Sequence, residues 1–179
     1  MNIVKLIALG FISGAILGCA QAEITRPPVS IVPNVQQNAV GIDVYARQRA
    51  AGNPVPEFRG QSTVQVRTSG QTDGGSFGEL SGVECRVDSG IYKATVTTPA
   101  NLIVPNYGPN SPALFVRCTT QSKSGSVTVN AVNLTAQQRN ASAAGTGLLG
   151  AIIIGAVNEA NRDNLNDDFG YNPINVPLR

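Results

Sequence analysis

Histidine and tryptophan are both absent from this 179-residue chain, which holds one methionine, five phenylalanines and four tyrosines. Without an imidazole, no Ser-His-Asp or Cys-His arrangement for nucleophilic catalysis can be assembled. The commonest metal ligand is missing with it. Charge is scarce too: charged residues are 13%, with 13 lysines and arginines against 11 aspartates and glutamates. Such a balance offers no basic stripe, so no nucleic-acid partner is expected. Few aromatics, 19 glycines and 11 prolines leave room for one modest core flanked by irregular segments.

The charge gap near the start is the most informative one. Lys5 precedes an uncharged run from Leu6 to Gly18, the pattern of an export leader over residues 1–18. That run is too short to span a bilayer comfortably, so it is expected to be removed. Ile16-Leu17-Gly18-Cys19 resembles the lipobox of bacterial lipoproteins. The resemblance implies cleavage before Cys19 and lipid on its thiol, making the membrane a partner. Ala20-Gln21-Ala22 is itself an A-x-A site of the ordinary secretory type, so a plainly secreted or periplasmic form stands as the alternative. Losing Lys5 with the leader leaves 12 basic against 11 acidic residues, a nearly neutral mature chain.

Only three cysteines are present. With Cys19 lipidated or discarded, Cys85 and Cys118 remain as an even pair in an exported protein, and a structural disulfide is expected. Two isolated thiols do not complete a tetrahedral metal shell, and their wide spacing is unlike a redox C-x-x-C motif.

Residues 19–60 read as a tether broken by Pro27-Pro28, Pro33, Pro54 and Pro56. Within it, Ile42, Tyr45, Ala46 and Arg49 suit a short helix between Gly41 and Gly52, and Val29-Ser30-Ile31-Val32 is the alternative, an edge strand of the body. Over 61–135 the period switches to two. Val64 and Val66 alternate with Gln65 and Arg67, and Val83, Cys85 and Val87 with Glu84, Arg86 and Asp88. Further short runs follow at Ile91–Val96, Leu102–Val104, Leu114–Cys118 and Val127–Val129. The fold class expected is mainly β, a small antiparallel β-sandwich, with a tight turn at Ser89-Gly90 and a glycine-rich surface loop from Gly70 to Gly78. That loop lacks the ending of a phosphate-binding loop.

The stretch from Val83-Glu84-Cys85-Arg86-Val87, through Thr97-Thr98-Pro99-Ala100-Asn101-Leu102, to Leu114-Phe115-Val116 resembles a PEGA-like module. Tyr107-Gly108-Pro109-Asn110 stands where the family's own P-E-G-A turn would be. The resemblance implies a small, non-enzymatic β-sandwich unit of the bacterial envelope, without catalytic residues or cofactor.

Between Arg139 and Glu159 the chain is again uncharged. Residues 136–162 are expected to form a glycine-rich apolar helix, about 28 Å long over its uncharged part. Ala143, Gly147, Ala151 and Gly155 recur every fourth residue and would line one packing face. The segment 141–157 looks like the glycine-zipper segments of outer-membrane lipoproteins, which implies self-association and a homo-oligomer. A helix or strand buried in the body remains the other reading.

Residues 163–179 read as a polar, proline-containing tail, in which Tyr171-Asn172-Pro173 and Val176-Pro177-Leu178 suit docking on the body or on a partner. Asp163, Asp167 and Asp168 do not match the EF-hand spacing, so no metal is expected there. Glu79, Glu84 and Asp88 are the remaining carboxylates near a hydroxyl or one another. Glu84, Arg86 and Asp88 would share an outer strand face as solvated neighbours, so no catalytic role is expected of them. The function expected is a non-enzymatic, structural or protein-interaction lipoprotein of the cell envelope, on the periplasmic face of the outer membrane. A soluble binding module and a membrane-active oligomer are the alternatives.

Overall fold

A computed structural model describes residues 21–143 and 163–179. The described residues form twelve strands, ten of which build two five-stranded sheets that face one another across a single core. The fold is mainly β, as its alternating residues dictate.

The first sheet is built on the long strand β3 (Gln61–Gln71), which pairs antiparallel with β7 (Ala100–Pro105) and with β4 (Phe77–Leu80). The second sheet runs β6 (Tyr92–Thr97), β5 (Glu84–Asp88), β8 (Leu114–Thr119), β9 (Ser124–Val129), all antiparallel. Val64, Val66, Leu102 and Val104 from one sheet meet Cys85, Val87, Val96 and Val116 from the other. The expected turn at Ser89-Gly90 is present: Gly90 takes φ +79° and its amide donates to Asp88 Oδ1 at 2.6 Å. Gly70 to Gly78 is an ordered hairpin end joining β3 to β4 rather than a loose loop, closed by the Thr72 amide on the Ser76 carbonyl at 2.8 Å.

Cys85 and Cys118 are directly opposed on β5 and β8, and they form a disulfide with Cα atoms 4.0 Å apart. Both are 0% exposed, so the bond lies inside the core as the inward register of Val83, Cys85 and Val87 requires.

Two segments whose place was left open, as tether or edge strand and as free or docked tail, belong to the body. Val29 to Pro33 is no tether: β1 (Val29–Ser30) pairs parallel with β7 of the first sheet, and β2 (Val32–Pro33) pairs antiparallel with β6 of the second. Ile31, between them, is 1% exposed, so the crossing seals one side of the core with an apolar plug. The C-terminal segment seals the other side. There β12 (Ile174–Pro177) pairs parallel with β3 and buries Ile174 and Val176, with Leu178 just beyond. Ser124 of β9 and Arg179 then exchange backbone hydrogen bonds of 3.0 and 3.1 Å. The purely antiparallel expectation fails at these two edges, where an end of the chain enters beside a strand running its own way.

Among the described residues, two α-helices flank the sheets. The helix α1 (Ala46–Ala50) stands where Gly41 and Gly52 were expected to bound one. A second, α2 (Leu134–Ala143), follows the two-residue strand β10 (Val132–Asn133), which pairs with β11 (Phe169–Gly170). Ala143 is the last described residue of α2; Gly147, Ala151 and Gly155, with most of the expected apolar helix, lie outside the described residues, as does Cys19. Among the described residues no helix is long and apolar enough to cross a membrane.

Candidate functional site

On the outer face of the first sheet, Arg67 of β3 and Glu79 of β4 form an ion pair, Nη1 to Oε1 at 2.5 Å. Alternation puts both side chains on the same outward row, beside Ser69 and Asn175. The pair grips one residue of backbone from both sides. The Ala22 amide donates to Glu79 Oε2 at 2.8 Å, and Arg67 Nη1 donates to the Ala22 carbonyl at 3.0 Å. Burial pushes the Glu79 carboxyl upward, but the Ala22 amide and the Arg67 guanidinium outweigh it and hold the carboxyl below its ordinary range. A cleft of about 520 Å³ opens beside the pair, lined by Gln21, Gln65, Pro173 and Asn175. Its chemistry is that of a backbone clamp, with one acceptor and one donor set to bind a single extended residue.

A second polar cluster is structural. The Tyr92 and Tyr107 hydroxyls share a hydrogen bond of 2.6 Å inside the core. The Tyr92 hydroxyl also lies 2.6 Å from the Ile42 carbonyl, and the Tyr107 hydroxyl, which accepts from the Val44 amide at 3.1 Å, lies 3.1 Å from Asp43 Oδ1; with one proton on each phenol, two of these three hydroxyl contacts are donated at a time. Arg49 closes the chain on Asp43 Oδ2 at 2.8 Å and on the Pro56 carbonyl at 2.6 Å. Burial raises the Asp43 carboxyl, yet hydrogen bonds from Arg49, the Tyr45 amide and Tyr107 hold it below its usual value. Burial drives the Tyr107 phenol strongly upward, keeping it protonated. Tyr45 packs edge-on to Tyr107 with ring centroids 5.3 Å apart. The network joins the 38–56 segment to the sheets.

A third cluster centres on Asp167, 4% exposed. Its carboxylate accepts from Asn133 Nδ2 at 2.7 Å, from Arg139 Nη2 at 3.2 Å and from the Asp163 amide at 3.0 Å. The Asn133 side chain foremost, then the Asp163 amide, keep this carboxyl low against the opposing effect of burial. Arg59 lies across Gly108, which takes φ +62°, and donates to the Asn164 carbonyl at 2.6 Å. One carboxylate therefore ties the chain entering the 144–162 segment, at Arg139, to the chain leaving it, at Asp163. The Asp163 and Asp167 carboxylates are held by side-chain and backbone donors here, the Asp168 amide donates to Thr135 Oγ1 at 2.9 Å, and no group of three metal-ligating residues occurs among the described residues.

Of the residues singled out in the sequence, Cys85 and Cys118 are brought together. Glu84, Arg86 and Asp88 do share the outer face of the second sheet, where an exposed Arg86 Nε stands 3.6 Å from Glu84 Oε1. The clamp on Ala22 was missed. Arg67 and Glu79 are twelve residues apart with a hairpin between them, and the only signal was opposite charge at matching outward positions. Comparison with protein-family models, with curated proteins and with solved structures yields no match to this chain.

Proposed function

We propose that this chain is a non-enzymatic cell-envelope lipoprotein, held at the periplasmic face of the outer membrane by lipid on Cys19 and acting as a structural or protein-interaction module. The observation that carries the reading is the Cys85–Cys118 disulfide, fully buried between paired strands. Such a bond persists in oxidising compartments and is rare where thiols are kept reduced. It agrees with an export leader over residues 1–18, cleaved before Cys19. The polar groups that chemistry would require are engaged elsewhere: Asp43, Tyr92 and Tyr107 in the core network, Asp167 at the segment junction and Glu79 in the clamp.

The finer assignment is a PEGA-like envelope module. It is supported by the β body and by the Thr97-Thr98-Pro99 connection, which carries the chain from β6 in one sheet to β7 in the other. The 141–157 segment would supply homo-oligomeric contacts through Ala143, Gly147, Ala151 and Gly155.

Metabolic palmitate labelling, with Cys19→Ser as control, tests the anchor. Label on the native chain and none on the variant supports the reading. A full-length chain whose Cys85 and Cys118 thiols react with an alkylating agent in living cells would overturn it.

A further inference from the structure

We propose that the outer face of the first sheet lies flat against the bilayer, with the Arg67–Glu79 pair clamping Ala22 so that the body cannot swing away from its anchor. This rests on lipid attachment at Cys19. Only Ala20 and Gln21 separate Cys19 from the clamped residue. An extended chain covers about 3.3–3.6 Å per residue, so the lipidated residue lies within roughly 11 Å of the clamp. The long tether read from the prolines is replaced by a very short one.

The chemistry of the two outer faces decides which can meet lipid. On the first sheet, the outward row around the clamp is Gln65, Arg67, Ser69, Glu79 and Asn175, and its two charges neutralise each other at 2.5 Å. Phe77 projects from the same face, opposite Gln71 and two residues before Glu79, and is 74% exposed. An exposed aromatic ring on an electrically neutral face suits the headgroup–acyl boundary. On the second sheet, Glu84, Arg86, Asp88, Lys93 and Arg117 share the outer face with Phe115, which is 44% exposed, and Arg86 stands directly opposite Arg117. Directly opposed like charges favour a watery surrounding. The clamp also separates the two cleavage sites. Cutting after Ala22 would remove the gripped residue and leave two half-buried charges without it, whereas cutting before Cys19 keeps it.

The chain lacks tryptophan, so Phe77→Trp and Phe115→Trp each introduce a single reporter, on the first and second outer faces respectively. The acylated full chain is placed in phosphatidylcholine vesicles with and without brominated acyl chains, after mass spectrometry has established its N-terminus. The expected result is loss of F77W emission in brominated vesicles, no loss for F115W, and recovery of F77W emission when Arg67→Ala and Glu79→Ala are added while the protein stays vesicle-bound. An acylated F77W protein that is unquenched, or quenched no more than F115W, overturns the proposed orientation and leaves the lipoprotein reading standing. A mature chain starting at Glu23, or one with no acyl group, overturns both.

Discussion

Gly125 and Pro177 approach so closely that a Cβ on the glycine would stand 2.1 Å from the Pro177 carbonyl oxygen. The neighbour is backbone, so it cannot swing aside as a side-chain tip would. Gly125→Ala is expected to lever the C-terminal strand from β9 and destabilise the fold by about 1–3 kcal/mol. Urea unfolding of the variant beside the native chain measures this. Glycine here serves strand approach alone, for Gly125 is not among the residues with positive φ.

Removing the disulfide is expected to act mainly through the unfolded chain. With Cys85 and Cys118 separated by 33 positions in the sequence, the Cys85→Ala/Cys118→Ala protein should lose about 3–4 kcal/mol. Because both sulfurs are fully buried, the folded native protein should resist reduction until denaturant is added. Thiol alkylation followed by mass measurement, with and without denaturant, reads this directly.

Tyr107→Phe keeps the ring that Tyr45 and Phe58 pack against but deletes the hydroxyl shared by Tyr92, Asp43 and the Val44 amide. Buried partners left unmatched should cost about 1–3 kcal/mol. Hydrogen exchange is expected to speed up at Val44 more than at Val66 in the core of the first sheet, because the lost acceptor is local to the 38–56 segment.

Asp43 and Glu79 both titrate below their ordinary range in the folded chain. Folding therefore gains from their ionisation at every pH above the unfolded-state value, about 4 for carboxyls. That gain fades as acid protonates the folded carboxylates. Tm should stay level from neutral pH to about 5 and fall below about 4. The Asp43→Asn/Glu79→Gln protein should have a lower plateau and a shallower acid fall. An equally steep fall in that variant would assign acid unfolding to other groups.

Asp167→Ala removes the carboxylate that Asn133, Arg139 and the Asp163 amide share. The expected outcome is faster tryptic cleavage after Arg139, while the fragment held by Cys85–Cys118 survives. Equal cleavage rates in the native chain and the variant would show that Asp167 does not restrain this junction.

Strand interiors were legible because burial on one face imposes a period of two. Val83-Cys85-Val87 and Val64-Val66 name their inward sides without any knowledge of the partner strand, and the even pair Cys85 and Cys118 names its own bond once export is expected. The inward register of Cys85 even places that bond in the core. The edges stayed open. Val29–Pro33 and Ile174–Pro177 are too short to show a period and carry prolines, so alone they allow a tether and a free tail as readily as an edge strand and a docked segment.

What made those segments strands was the pair of open flanks left by two facing sheets, each needing apolar cover and backbone partners. The Ala22 clamp was invisible for the same reason. Local sequence fixes which way a side chain points, but register across a hairpin decides which charges meet, and Arg67 meets Glu79 only once β3 and β4 are aligned. Alternation is a property of neighbours along the chain, whereas closure of the core and assembly of the clamp depend on residues far apart in it.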